Sequence, residues 1–186
     1  IYWLMGFFYS LPKIEIWDSL GTISARLPSS LGSLFLMLMI ADTLYCWPQK
    51  GDKQFLTPIV GSLGFALSPL IIIWSRTAVS DALLTGTLGI SLLLFWRRMA
   101  SENNDKCIAA WAFLGFAILT KGPVAFVLAT LTITFFLIIQ KDWRSLLNKI
   151  NPKKGFLITI LISVPWYVLE LLLSLIHISE PTRLAE

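Results

Sequence analysis

Charge is what this sequence has least of. Asp, Glu, Lys and Arg make up 14% of its 186 residues, where soluble domains carry roughly 25%. Histidine occurs once, as His177, and cysteine twice, as Cys46 and Cys107. Two cysteines make no disulfide framework, and the single histidine leaves no metal-spaced His/Cys cluster and no Ser/His/Asp arrangement. No glycine loop of the phosphate-cradling kind is present. No internal repeat is evident, which weakens a transporter built from inverted halves, and no signal-peptide pattern stands at the start. What is abundant is apolar surface. Hydrophobic residues reach 56%, with 8 Trp and 12 Phe, more than a chain of this length can bury in a core of its own. A soluble enzyme, a disordered chain and a nucleic-acid module are thereby set aside.

The apolar residues fall into six stretches separated by charged loops: 27–47, 55–74, 82–96, 107–120, 124–140 and 155–173. A membrane-spanning helix needs about 20 residues. The first, second and last stretches meet that length, and the third and fourth need flanking residues to approach it. Backbone in hydrocarbon has to satisfy its own hydrogen bonds, and the stretches lack the strict alternation of barrel strands, so helices are expected. Trp47, Trp74 and Trp96 each close a stretch, where amphipathic rings favour the interface. The fold class is therefore all-α, a polytopic transmembrane helical bundle with about six spans. Residues 1–26 read as a periplasmic interfacial segment, 27–173 as the transmembrane helical domain and 174–186 as a non-native tail. Pro165-Trp166 suggests a kink near the outer end of the last span. Gly61, Gly64, Gly86 and Gly89 read as sites of close helix packing.

Threading the spans in order puts loops 48–54, 97–106 and 141–154 on one side. They hold ten of the 15 basic residues, while Lys13, Arg26, Arg76 and Lys121 lie on the other side and Arg183 in the tail. The positive-inside bias places the richer side in the cytoplasm. The net charge of +4 then reflects topology and contact with anionic membrane lipids rather than nucleic acid.

The few outer-side charges become the informative ones, because charge near hydrocarbon is costly unless paired or hydrated. In Ser75-Arg76-Thr77-Ala78-Val79-Ser80-Asp81, Asp81 is placed to cap the next helix and stabilise its positive end. The same helix start also suits an anionic ligand. In Thr120-Lys121-Gly122-Pro123, glycine and proline account for the turn but not for the lysine, which either snorkels to headgroups or binds phosphate as a point charge. Arg26, just before Leu27-Pro28, reads as an interface anchor outside a helix that Pro28 begins. Asp42, close to Trp47, is expected to reach cytoplasmic water.

Taken in order, Tyr2-Trp3-Leu4, Ala25-Arg26-Leu27-Pro28-Ser29, Arg76 through Asp81, Leu119-Thr120-Lys121-Gly122-Pro123 and Val164-Pro165-Trp166-Tyr167 resemble a known family. It is that of bacterial polyprenyl-phosphate-sugar glycosyltransferases, the GT-C membrane enzymes similar to protein O-mannosyltransferases and to the lipid A aminoarabinose transferase. The resemblance covers about residues 1–173 and implies transfer of a sugar from a polyprenyl-phosphate donor to a lipid, glycan or protein acceptor at the periplasmic face of the inner membrane. It assigns Lys121 a donor-phosphate contact and Asp81 a sugar contact or orienting role. Arg76 and Arg26 are further substrate-binding candidates. No cofactor is evident, and the resemblance leaves room for a divalent metal in a full-length enzyme. Thr22 stands where the family has an acidic residue. The family's acidic outer loop would fall upstream of Ile1, so the chain is expected to be an internal fragment without its general base. Ser174–Arg183 resembles translated adapter sequence, and His177 and Arg183 are assigned no role. The alternative reading is a polytopic transporter or flippase-like binder that uses the same cations only to hold an anionic lipid.

Overall fold

A computed structural model describes residues 2–10, 22–47, 55–100, 106–140 and 143–179. Among these residues there are helices and no strand: α1 (Tyr2–Tyr9), α2 (Thr22–Cys46), α3 (Leu56–Ala66), α4 (Pro69–Arg76), α5 (Ser80–Ala100), α6 (Lys106–Lys121), α7 (Val124–Gln140), α8 (Trp143–Ile150) and α9 (Pro152–Ser179). The expected all-helical membrane bundle is what is observed. Lys13, Lys50, Lys53, Lys141 and Arg183 lie outside the described residues, as does all of the tail after Ser179.

Two stretches, Thr22–Cys46 and Leu147–Ser174, are long and apolar enough to cross a membrane unaided, and the bent pair α3–α4 makes a third. The stretch 55–74, expected as one span, is two helices bent by 61°. The cause is local. Ser68 precedes a proline and is held extended at φ −59°, ψ 127°, as the proline ring requires of its predecessor, and Pro69 then opens α4. The third stretch lengthens at both ends into the 21 residues of α5. The fourth stays short: α6 has 16 residues, about 24 Å of helix against roughly 30 Å of hydrocarbon. It can be short because it is the centre of the bundle, packed against α5, α7 and α9, with Ala110, Leu114 and Ala117 fully buried.

Packing follows residue size. Gly86 of α5 lies on the backbone of Gly32 in α2, where an added Cβ would sit 2.7 Å from the Gly32 carbonyl carbon. That approach brings two helix axes together as only small residues allow. Gly89 meets Leu36 and Gly61 meets Leu44, but Gly64 has nothing near it, so its expected packing role is not realised. Buried Phe95 and Trp111 meet edge to face at 5.0 Å. The outward faces of α2, α7 and α9 expose Leu34, Phe35, Leu38, Leu131, Phe135, Ile138, Leu157 and Leu161, a surface suited to lipid rather than water.

At the end carrying the basic loops, Asp42 pairs with Arg97 and Trp47 stacks on Trp96 with ring centroids 4.4 Å apart. Helix α8 was not foreseen in that loop region. It docks by its C-terminal carbonyls: Arg98 Nε donates to Lys149 O at 3.1 Å, and Trp111 Nε1 donates to Ile150 O at 2.9 Å. Gly155, opening the next helix, leaves the space that the Trp111 indole fills.

Candidate functional site

The opposite end of the bundle gathers the outer-side charges. Helix α2 is pinned there by two hydroxyls, Ser29 Oγ donating to Val79 O at 3.0 Å and Ser30 Oγ lying 2.7 Å from Ser75 O. Ser30 Oγ also lies 3.2 Å from Arg26 O, so one hydroxyl reaches the backbone of both the Arg26 and the Arg76 regions. Helix α2 begins at Thr22, which puts Arg26 and Pro28 inside it. Arg26 is not the anchor outside a helix that Pro28 was expected to begin. Pro28 and Ser29 are fully buried, and that packing outweighs the backbone hydrogen bond a mid-helix proline forfeits.

Asp81 stands in the first turn of α5, one residue inside the helix rather than at its cap. There its charge still opposes the positive helix end. Its carboxylate forms an ion pair with Lys121, 40 residues away in sequence. Lys121 is held by a turn that only glycine makes cheaply. Gly122 has φ +79°, and its N–H closes α6 by donating to Ile118 O at 2.7 Å, a left-handed helix end of the usual glycine type. Tyr167 of α9 donates its hydroxyl to the same Ile118 carbonyl at 2.9 Å, tying the last span to the turn.

Beside Lys121 lies a cavity of about 430 Å³ lined by Ala78, Val79, Ser80, Leu119, Thr120, Lys121, Gly122, Trp166, Tyr167 and Glu170; Asp81 borders it through its ion pair with Lys121 and does not line it. It is bordered by the first turn of α5, the end of α6 and the outer part of α9. Side-chain exposure is 44% for Lys121 and 33% for Asp81, so both reach solvent. At that exposure the pair contributes at most about 1 kcal/mol to folding. Of the four candidates, Asp81 and Lys121 are brought together. Arg26 and Arg76 are exposed at the same end, do not line the cavity, and form no ion pair among the described residues. Arg76 ends α4, where a cation also suits the helix dipole.

Glu170 was not among the candidates. A carboxylate inside the run Val168-Leu169-Glu170-Leu171 is itself a signal, since such residues are rare in apolar spans unless they serve a cavity. Trp166 and Tyr167 were read as a kink and a motif; their place on the cavity wall needed the fold. Pro165 lies within the continuous assignment of α9. No group of three or more His, Cys, Asp or Glu comes together among the described residues. With Asp81 engaged by Lys121, the described residues here do not fit a divalent-metal site.

Residues 1–168 match the profile of the family described as dolichyl-phosphate-mannose-protein mannosyltransferase. The chain is 28% identical over 144 residues to undecaprenyl phosphate-alpha-4-amino-4-deoxy-L-arabinose arabinosyl transferase 2 of Pseudomonas fluorescens strain Pf0-1, covering 72% of this chain and 24% of that one. It is 28% identical over 153 residues to arabinosyl transferase 1 of the same name from strain Pf-5, covering 80% and 25%. The similar transferase of Pseudomonas paraeruginosa strain PA7 is 27% identical over 138 residues, covering 72% and 24%. The chain thus spans about a quarter of the length of these curated relatives. No solved structure matches it.

Proposed function

The chain belongs to the dolichyl-phosphate-mannose-protein mannosyltransferase family, and on that premise we propose that it forms part of a membrane glycosyltransferase whose donor is a polyprenyl-phosphate-linked sugar. The observation that carries the proposal is the Asp81–Lys121 pair at the edge of a polar-lined cavity of about 430 Å³, at the bundle end away from the basic loops. In the transfer, the bond between the sugar's anomeric carbon and the phosphate oxygen breaks, and the polyprenyl phosphate departs with the electron pair. An acceptor oxygen forms the new bond and gives up its proton to a base. Negative charge therefore grows on the lipid phosphate, and a preplaced cation stabilises it where it develops. Lys121 is that cation. Ser80, the first residue of α5, lines the same cavity, and a helix start suits an anion. Asp81, exchanging its ammonium partner for the donor, accepts hydrogen bonds from sugar hydroxyls. Arg26 and Arg76 extend the positive rim toward the headgroup region.

The positive-inside bias supports placing this end at the periplasmic face of a bacterial inner membrane. Helix α1 is then the described part of an outer interfacial segment, and the membrane domain expected from residue 27 opens with α2 at Thr22. The relatives' names make 4-amino-4-deoxy-L-arabinose the first sugar to try, and the Glu170 carboxylate on the cavity wall suits a donor with an ammonium group. The acceptor is a lipid, a glycan or a protein.

The test is transfer of sugar from a polyprenyl-phosphate donor by the full-length protein in vesicles. Lys121→Ala should lower the rate about a hundredfold, as loss of one transition-state charge contact does, with membrane insertion unchanged. Unaltered transfer by both Lys121→Ala and Asp81→Asn would overturn the site. Donor binding and movement without any transfer would instead favour the flippase-like reading.

A further inference from the structure

A second cavity, with no lining residue in common with the first, opens between α6, α7, α8 and α9 with a volume of about 420 Å³. Its walls are apolar over most of their extent, with Trp111, Phe126, Ile133, Leu137 and Phe156 among them. No acidic residue lines it, and its one charged lining residue is Lys153. Lys153 is exposed in the first turn of α9, beside exposed Lys154. Leu147 and Ile150 of the amphipathic helix α8 border the same end. A greasy channel with a cation at its mouth and no counter-charge fits an amphiphile with an anionic head.

Two dimensions narrow the occupant. From Phe126 to Leu137 the cavity follows α7 through eleven residue rises, about 16 Å, which is the depth of one leaflet in a hydrocarbon core of roughly 30 Å. A second apolar groove of about 400 Å³ runs along the neighbouring face of α7 and shares Phe126, Thr130 and Thr134 with the first. The two grooves lie side by side along α7, divided by the ridge of Phe126, Thr130 and Thr134, and suit two acyl chains under one headgroup rather than a single polyprenyl chain.

We propose that this face of α7 binds a diacyl anionic phospholipid, with one chain in each groove and its phosphate at Lys153 and Lys154. Helix α8 gives the site its shape. Its C-terminal carbonyls are held by Arg98 and Trp111, so the roof over the headgroup end is fixed to the core. Assigning the lipid to the cytoplasmic leaflet rests on the orientation proposed above; the site and its ligand do not, because the measurement below reads labelling and not transfer.

The experiment uses the full-length protein in nanodiscs of phosphatidylcholine doped with trace lipid carrying a photoactivatable acyl chain. The probes are phosphatidylglycerol, phosphatidylcholine or a polyprenyl phosphate, and adducts are mapped by peptide mass spectrometry. Phosphatidylglycerol should label the 126–137 segment, and Lys153→Gln with Lys154→Gln should lower that labelling about thirtyfold, as loss of two headgroup lysines predicts. Ile133→Trp, which fills the groove and leaves both lysines, should abolish labelling there. Equal labelling by phosphatidylglycerol and phosphatidylcholine, stronger labelling by the polyprenyl phosphate, or an unlabelled α7 covered by another part of the protein would each overturn the proposal. A lysine variant with full labelling would do the same.

Discussion

The two ends of this bundle use polar groups in opposite ways. At the basic-loop end, polar atoms are spent on holding helices: buried Arg98 donates to Lys149 O, and buried Cys107 and Trp111 both donate to Ile150 O. At the other end, the charged groups lie beside an open cavity, and Asp81 and Lys121 keep a third or more of their side-chain surface in solvent. Where polar groups are enclosed and directed at backbone, their removal leaves unsatisfied carbonyls and the fold suffers. Where they are half-exposed and directed at each other, their removal costs the fold little, and under the proposed function it costs the transfer step much. The difference separates a scaffold from a site without appeal to the residue types, since both ends use cations.

Four substitutions press on that contrast, each in the full-length protein. Reversing the outer pair, with Asp81→Lys and Lys121→Asp together, restores an ion pair but moves the cation off the turn of Gly122. Sugar transfer should stay down about a hundredfold, as for loss of one charge contact, while thermal stability in detergent returns to that of the parent. Recovery of transfer would show the pair to be a mere brace. Next, Gly86→Val pushes a side chain into the Gly32 backbone. It should cost about 1–3 kcal/mol of stability, read as a lowered unfolding midpoint, with transfer per folded molecule preserved. At the scaffold end, Trp111→Phe keeps most of the ring and removes one of the two hydrogen bonds to Ile150 O, leaving that from Cys107. A loss of about 1 kcal/mol is expected, and protease cleavage between α8 and α9 should rise. The smallest effect belongs to Asp42→Asn. Arg97 is largely covered but Asp42 is 56% exposed, so less than about 1 kcal/mol should be lost. A large loss there would place the scaffold's strength in its ion pair rather than in its packing.

Legibility in the sequence followed the range of the interaction. The six apolar stretches announced helices, because a run of apolar residues near 20 long has few other fates in hydrocarbon. The turn at Gly122-Pro123 was equally plain, since glycine and proline impose it locally. The break at Ser68-Pro69 was also written locally, but a count of apolar residues passes over it. Helix α8 escaped notice because its apolar positions are scattered among basic ones, and only docking on α5 and α6 gives them a partner. At the site, the count of charges per side singled out Lys121 and Asp81 as unusual. It could not pair them across 40 residues, nor bring Glu170 to the same cavity.

By itself, then, the sequence determined that this chain is helical and lives in a membrane, which end carries the positive excess, and which few charges stand apart from it. Those properties are set by the solvent: hydrocarbon demands internally satisfied backbone and makes every stray charge costly. Only the tertiary structure decided which of those charges meet. It seated Lys121 against Asp81, left Arg26 and Arg76 off the cavity wall, and turned Glu170 and Tyr167 toward the same space. That choice depends on how closely helices approach and at what rotation, as where Gly86 rests on Gly32, and packing between distant segments has no counterpart in the local pattern of either one.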